Sequence, residues 1–263
     1  MVDGVGRSVE LPTRIERIVT LAPNVTELVA FAGGGAKIVG TDSMSNFPPE
    51  VAPLPDVGGL QPSIEAIAAL NPDLVIASTA GNPPAIAQPL ASLDIPLYVL
   101  RTDRLDDLGR ALRTLGTILG VDGEGAASRL EAAVAAQKRT RASAPRVMVV
   151  LWPEPLYVAG RKTFLDDVLR VAGAENAVDV DGWPAYSAEA VLARPPDIII
   201  YPASAVPADA MRALGQTPAW KDSPAFRDGQ VHPVSDDEML RPGPRIARGL
   251  ADLNAILDRW SAR

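Results

Sequence analysis

The sequence predicts an α/β protein of two lobes with the same internal order, each built on a mostly parallel sheet. Three observations carry that prediction. "SIEAIAALNPDLVI" at residues 63–76 returns as "SAEAVLARPPDIII" at 187–200, a constant offset of 124 with seven of fourteen positions identical. The apolar segments that read as strands ("RIVTLA", "LVIAS", "RVMVVL") are continuous rather than alternating, which suits strands covered by helices on both faces. A helical stretch near 124–142 separates two copies of one pattern and is placed as the bridge.

Taken in order, "RSVELPTRIERIVTLAPNVTELVAFAGG" reads as two strands and then a helix. Asn24, followed three residues later by Glu27, has the spacing of a helix cap, and Gly33–Gly35 stop the helix. "KIVGTD" is a strand, and the Pro/Gly-rich residues 43–62 are a loop. Ser63 then caps a short helix, "NPD" turns, and 74–78 is a strand. Residues 79–100 add a helix and the strand "PLYVL". Leu105, Leu108, Leu112, Leu115, Ile118 and Leu119 recur at helical steps across 103–120. A second helix covers 124–142 and ends at "SAP". The order then restarts: "RVMVVL" is a strand, 166–178 aligns with 26–39, and the loop "DVDGWPAYS" precedes the second copy of the motif. A late strand at 229–235 and a closing helix over 241–260 complete the chain. The predicted organisation is an N-terminal lobe over 1–120, a linking helix over 121–143 and a C-terminal lobe over 144–263.

Composition narrows the function classes. Apolar residues make up 47% and charged residues 22%, the balance of a globular protein in water. A net charge of −7 without a basic run argues against nucleic acid as a partner. There is no Cys, which excludes disulfides and thiolate chemistry, and the single His232 excludes a zinc site of two or three histidines. No stretch is apolar enough to span a bilayer, and "MVDGVGRSVELP" has no signal-peptide character.

The repeated motif admits two explanations. Duplication alone accounts for Ser as an N-cap, Glu in a first helical turn and Pro-Asp as a turn. It leaves open why Glu65 and Glu189 occupy the same place in both lobes. A symmetric dimeric partner with two Arg sockets would fit such a pair.

The ordered set "GRSVELPTRIERIVTLAPNVTELVAFAG", "KIVGTD", "FPPEV", "LPDVGG", "SIEAIAALNPDLVIAS", "FLDDVLRVAGAENAV", "WPAYSAEAVLARPPDIIIYPAS" and "RPGPRIARGL" resembles the periplasmic substrate-binding proteins of the cobalamin/iron-siderophore ABC importers. It looks most like the vitamin B12-binding members, from about residue 5 to residue 255. The resemblance implies two Rossmann-like lobes joined by a single long, stiff helix, with ligand in the cleft between them. It implies docking of each lobe onto an ABC permease dimer at the membrane, through surface carboxylates that match Glu65 and Glu189. It also implies a monomer in the periplasm or membrane-anchored outside the cell, made with a signal segment that this sequence lacks. No catalysis and no cofactor of the protein's own are expected.

Ligand residues are expected on loops after the strand C-termini, at 22–27, 42–47, 58–61, 78–82, 152–157, 183–186 and 236–241. The B12-binding members line their cleft with aromatics. Of these, Trp183 is retained, Tyr157 stays aromatic, and Asp237 and Arg241 match an Asp and Arg four apart. Met44, Leu60 and Ser78 stand where an aromatic is expected, as does Leu151, with Trp152 adjacent. Each has a plainer reading: loop packing for Trp183, core filling for Met44, a helix-entry ion pair for Asp237 and Arg241, and a solvated loop for Arg161 and Lys162. His232, in an apolar strand, reads as structural rather than as an axial ligand.

Three alternatives remain at this point. The same scaffold could hold haem, with Tyr157 or Tyr186 on the iron, or a ferric siderophore against Arg161 and Arg241. A two-lobe enzyme is disfavoured, because Gly33–Gly35 follow a helix and no G-x-S-x-G or phosphate loop occurs. A sensor that lost transport is disfavoured by the presence of both Glu65 and Glu189.

Overall fold

β-Branched residues open the first sheet. β1 (Ile18–Thr20) has no accessible surface and leads through Leu21 and Ala22 into α1 (Pro23–Phe31). β2 (Ile38–Thr41), α2 (Ile64–Ala69), β3 (Leu74–Ser78), α3 (Ala87–Ala91), β4 (Leu97–Leu100) and α4 (Leu105–Leu119) follow. The four strands are parallel, in the order β2-β1-β3-β4. Continuous Val/Ile/Leu runs are what such a sheet needs, because helices exclude water from both faces.

The Leu stripe of α4 is buried throughout, from Leu105 to Leu119. Asp107 accepts the Arg104 backbone N–H at 2.9 Å to close the first turn, and Gly120, at φ 66°, ends the helix. The next helix, α5 (Gly123–Ala136), meets α4 backbone to backbone. A Cβ on Gly123 would stand 2.3 Å from the Leu112 carbonyl oxygen and 2.6 Å from Gly116 Cα. Across the same contact Arg113 pairs with Glu124 and Glu131, both at 2.7 Å. Gly123→Ala is therefore expected to cost about 1–3 kcal/mol of stability by overpacking. Urea denaturation measures it, and an unchanged midpoint would mean the two helices part freely.

The computed structural model of the chain describes residues 1–81 and 84–262. It forms two units, Met1–Glu131 with Pro242–Pro244 and Ala132–Arg241 with Arg245–Arg263, so the division falls inside α5. The second unit contains β5 (Arg146–Pro153), β6 (Leu156–Val158), α6 (Phe164–Val171), β7 (Glu175–Asn176), α7 (Ala188–Ala193), β8 (Ile198–Pro202), α8 (Ala208–Gly215), α9 (Pro224–Arg227), β9 (Val231–Val234) and α10 (Ile246–Ser261). Its parallel strands pair β7 with β5, β5 with β8 and β8 with β9, which repeats the order of the first sheet. The departure is β6, which turns back antiparallel along β5.

The two motif copies fold identically in their bounds: α2 and α7, and β3 and β8, start and stop 124 residues apart. Ser63 and Ser187 cap their helices by accepting the N–H of Ala66 and Ala190 at 3.1 and 3.2 Å. Ile67 and Val191 are sealed beneath. The repeated Asp does more than turn the chain. Asp73 accepts the N–H groups of Glu16 and Arg17 at 2.8 and 2.9 Å, and Asp197 accepts that of Arg146 at 2.8 Å. Each Asp also donates its own N–H back to the carbonyl of that Arg, both at 2.8 Å, so each motif is clasped to the first strand of its sheet.

Four expectations are corrected. The first of the two N-terminal strands is absent, and only a Val2–Ser8 bridge occurs before β1. Asn24 lies inside α1, whose cap is Ala22 without a side-chain bond, because Pro23 already suits the first turn and Asn24 is drawn inward to two hydroxyls. The second helix ends at Ala136 rather than at 142, where Asn254 Nδ2 takes up the Gln137 carbonyl at 2.8 Å. The closing helix begins at Ile246, because the "RPGP" run follows a wide turn over Asp236–Leu240 and cannot supply helical N–H groups at its prolines. Among the described residues no helix is long and apolar enough to cross a membrane.

Candidate functional site

The β5–β6 hairpin builds an aromatic row on the second unit. Trp152 and Tyr157 are directly opposed across the two strands, and Tyr157 in turn bridges Ala185. Residues 180–186, expected as a loop, run alongside β6 as a third ribbon. Gly160 N–H reaches the Gly182 carbonyl at 2.8 Å, Arg161 N–H the Val180 carbonyl at 2.8 Å, and Tyr186 N–H the Leu156 carbonyl at 2.9 Å. Gly160 permits this approach, since a Cβ there would sit 2.1 Å from the Val180 oxygen. The ribbon carries Trp183 beside the hairpin. Trp183, Trp152 and Tyr157 are 53%, 46% and 43% exposed, so three large rings face water, two on the paired strands β5 and β6 and one in the bend beside them. The Trp152 indole N–H is fixed on the Glu154 carbonyl at 2.8 Å. Such a row offers flat apolar area at little entropic cost.

The charged candidates are mutually engaged. Asp237 pairs with Arg241 at 2.5 Å and with Arg245, which sequence reading did not single out, at 3.5 Å. Arg161 and Lys162 share Asp181, at 3.5 and 2.7 Å. The Lys162 hydrogen bond, followed by the charges of both cations, holds the Asp181 carboxyl below its usual range. Tyr186 is buried and points its hydroxyl at Asp179, 3.4 Å away. Burial, and then the Asp179 charge, raises its pKa, which opposes an iron-binding phenolate there. His232 lies half-buried on β9, with Nε2 3.3 Å from Gln230 Oε1.

On the first unit the two ends of the connection between β2 and α2 are tied together. Ser43 Oγ donates to Asp56 at 3.0 Å, Ser43 N–H to the Gly58 carbonyl at 3.1 Å, and Gly58, at φ 99°, returns its N–H to Asp56 at 2.7 Å. Asp42 accepts the Met44 N–H at 2.8 Å. Met44 and Leu60 project from this pinned pair at 66% and 79% exposure, so Met44 is not the core filler its plainer reading suggested. Ser78 is a correction of the opposite kind. It has no accessible surface. Its hydroxyl meets Thr102 at 2.7 Å, the Asn24 amide at 3.1 Å and the Ala80 N–H at 3.1 Å. It locks α1 to the ends of β3 and β4 instead of facing a ligand. Asn82, the last residue of the expected loop 78–82, lies outside the described residues.

Glu65 and Glu189 are exposed at the second position of α2 and α7. Ser63 Oγ donates to Glu65 at 3.1 Å. The Glu189 carboxyl is held below its usual range, first by its own backbone N–H and then by Ser187. Glu189 therefore sits where the start of its helix favours the charged form.

Comparison with known proteins agrees with this architecture. The chain is 31% identical over 252 residues to the vitamin B12-binding protein of Vibrio parahaemolyticus serotype O3:K6, covering 93% of this chain and 88% of that one. Among solved structures, the periplasmic heme-binding protein of Roseiflexus sp. RS-1 superposes with a TM-score of 0.84 at 30% identity, over 94% of this chain and 99% of that one. The periplasmic vitamin B12-binding protein of Vibrio cholerae gives 0.80 at 27% identity, over 96% and 100%. The profile of the periplasmic binding protein family matches residues 18–237, and the chain belongs to that family.

Proposed function

We propose that the protein is the substrate-binding component of an ABC importer and carries vitamin B12 or a related corrinoid. The observation that carries this reading is the exposed row of Trp152, Tyr157 and Trp183 on a pinned ribbon. A corrin is broad and apolar on its faces with amides at its rim, so it gains most from rigid aromatic contacts and a few polar groups. Met44 and Leu60 are further exposed apolar groups suited to such a ligand, and Arg241 with Asp237 offers charged hydrogen bonds to rim amides. Delivery goes to a dimeric permease in the membrane, with Glu65 and Glu189 as its contacts. The protein works as a monomer, in the periplasm or anchored outside the cell, and holds its ligand without transforming it.

One observation favours a second ligand, haem: the Roseiflexus heme-binding protein is similar at 30% identity. Tyr157 is the exposed phenol that could reach iron, whereas Tyr186 is sealed. Titration with cyanocobalamin, hemin and ferric siderophores, followed by tryptophan fluorescence and calorimetry, separates these readings. Saturable binding of cyanocobalamin, retained in Tyr157→Phe, is the expected result. Preference for hemin, lost in Tyr157→Phe, would replace the corrinoid reading.

A further inference from the structure

Five methionines occur in the chain, and the fold sorts them sharply. Met148, Met211 and Met239 are buried at 0%, 2% and 1% exposure, while Met44 is 66% exposed and Met1, at the chain start, 49%. Met44 is also held in place: Asp42 takes its N–H, and the Ser43–Asp56 and Ser43–Gly58 bonds fasten its end of the β2–α2 connection to the end bearing Leu60. A thioether presented this way is open to attack from solvent, whereas those of Met148 on β5, Met211 on α8 and Met239 in the Asp236–Leu240 turn are not.

We propose that Met44 is an oxidation site, taking a peroxide or hypohalous acid as its reagent, and that its oxidation weakens ligand capture. The sulfur attacks one oxygen of hydrogen peroxide, the O–O bond breaks, an S–O bond forms, and water leaves. Sulfur loses two electrons and the peroxide gains them. The product is a polar, chiral sulfoxide in place of a flexible apolar side chain, and it is reversible by methionine sulfoxide reductases. The effect on capture rests on the ligand-binding reading above, because it requires Met44 to meet the ligand. The change replaces one apolar contact on a pinned loop, so a loss of about tenfold in affinity is expected.

The test treats the whole protein with graded hydrogen peroxide, maps sulfoxide by peptide mass spectrometry, and titrates cyanocobalamin and hemin before and after. Met44 should oxidise well ahead of Met148, Met211 and Met239, with Met1 as an exposed reference. Affinity should fall in step with Met44 sulfoxide and return after treatment with the reductase. Met44→Leu, whatever its starting affinity, should keep that affinity through the same treatment. Oxidation of Met44 no faster than the buried three would overturn the proposal, and so would full Met44 sulfoxide with unchanged affinity. If the untreated protein bound neither ligand, the proposed function would fall, while the order of oxidation would still decide whether Met44 is the modification site.

Discussion

Reversing both exposed carboxylates, Glu65→Arg together with Glu189→Arg, is expected to abolish uptake while leaving ligand affinity unchanged. Both side chains lie at the solvent surface on short capped helices, away from the aromatic ribbon in sequence and, in the second unit, on a different element. The helices themselves tolerate the change, since each is clasped by Asp73 or Asp197 and sealed by Ile67 or Val191. An exposed ion pair contributes only about 0.2–1 kcal/mol, so neutral Gln variants should slow uptake modestly. Reversal is different, because it sets like charge against a basic socket, and such juxtapositions cost several kcal/mol. The measurement is radiolabelled ligand uptake into vesicles carrying the permease, beside calorimetry on the free protein. Full uptake by the double reversal would remove these residues from the docking role.

Trp183→Ala carries the second large effect. Loss of a rigid aromatic anchor is expected to weaken corrinoid binding by about 2 kcal/mol or more, some thirtyfold. Its folding stability should hardly change, because more than half of the side chain already faces water. Ser78→Ala should behave in the reverse way. Removing that hydroxyl leaves the Asn24 amide, the Thr102 hydroxyl and the Ala80 N–H short of a buried partner, which costs about 1–3 kcal/mol of stability. Ligand affinity should persist. Fluorescence titration and thermal denaturation on both variants separate the two residues, and loss of affinity in Ser78→Ala alone would return it to the ligand set.

Much of the architecture is legible in the sequence. Ser63 and Ser187 cap helices, Leu105 to Leu119 form a buried stripe, and the apolar runs at 74–78 and 198–202 are central parallel strands. Trp183 and Tyr157, with Trp152 nearby, are singled out by the resemblance to B12-binding proteins, and the fold leaves all three exposed. Ser78 is placed at the ligand by the resemblance and Asn24 at a cap by its spacing, and neither signal reveals that the two side chains meet in the interior. A short polar residue at a strand or helix end looks the same whether it faces solvent or a second buried hydroxyl.

Local chemistry thus settled which segments are helices and strands and that the unit is used twice, because caps, periodicity and turn residues act over a few neighbours. Three-dimensional pairing settled the rest. It laid residues 180–186 along β6 and so brought Trp183 beside the hairpin, joined Asp73 to a backbone 57 residues away, and divided the methionines into sealed and open. Those outcomes depend on which distant backbone groups meet once the sheets form. A backbone N–H carries no side-chain label to announce its partner.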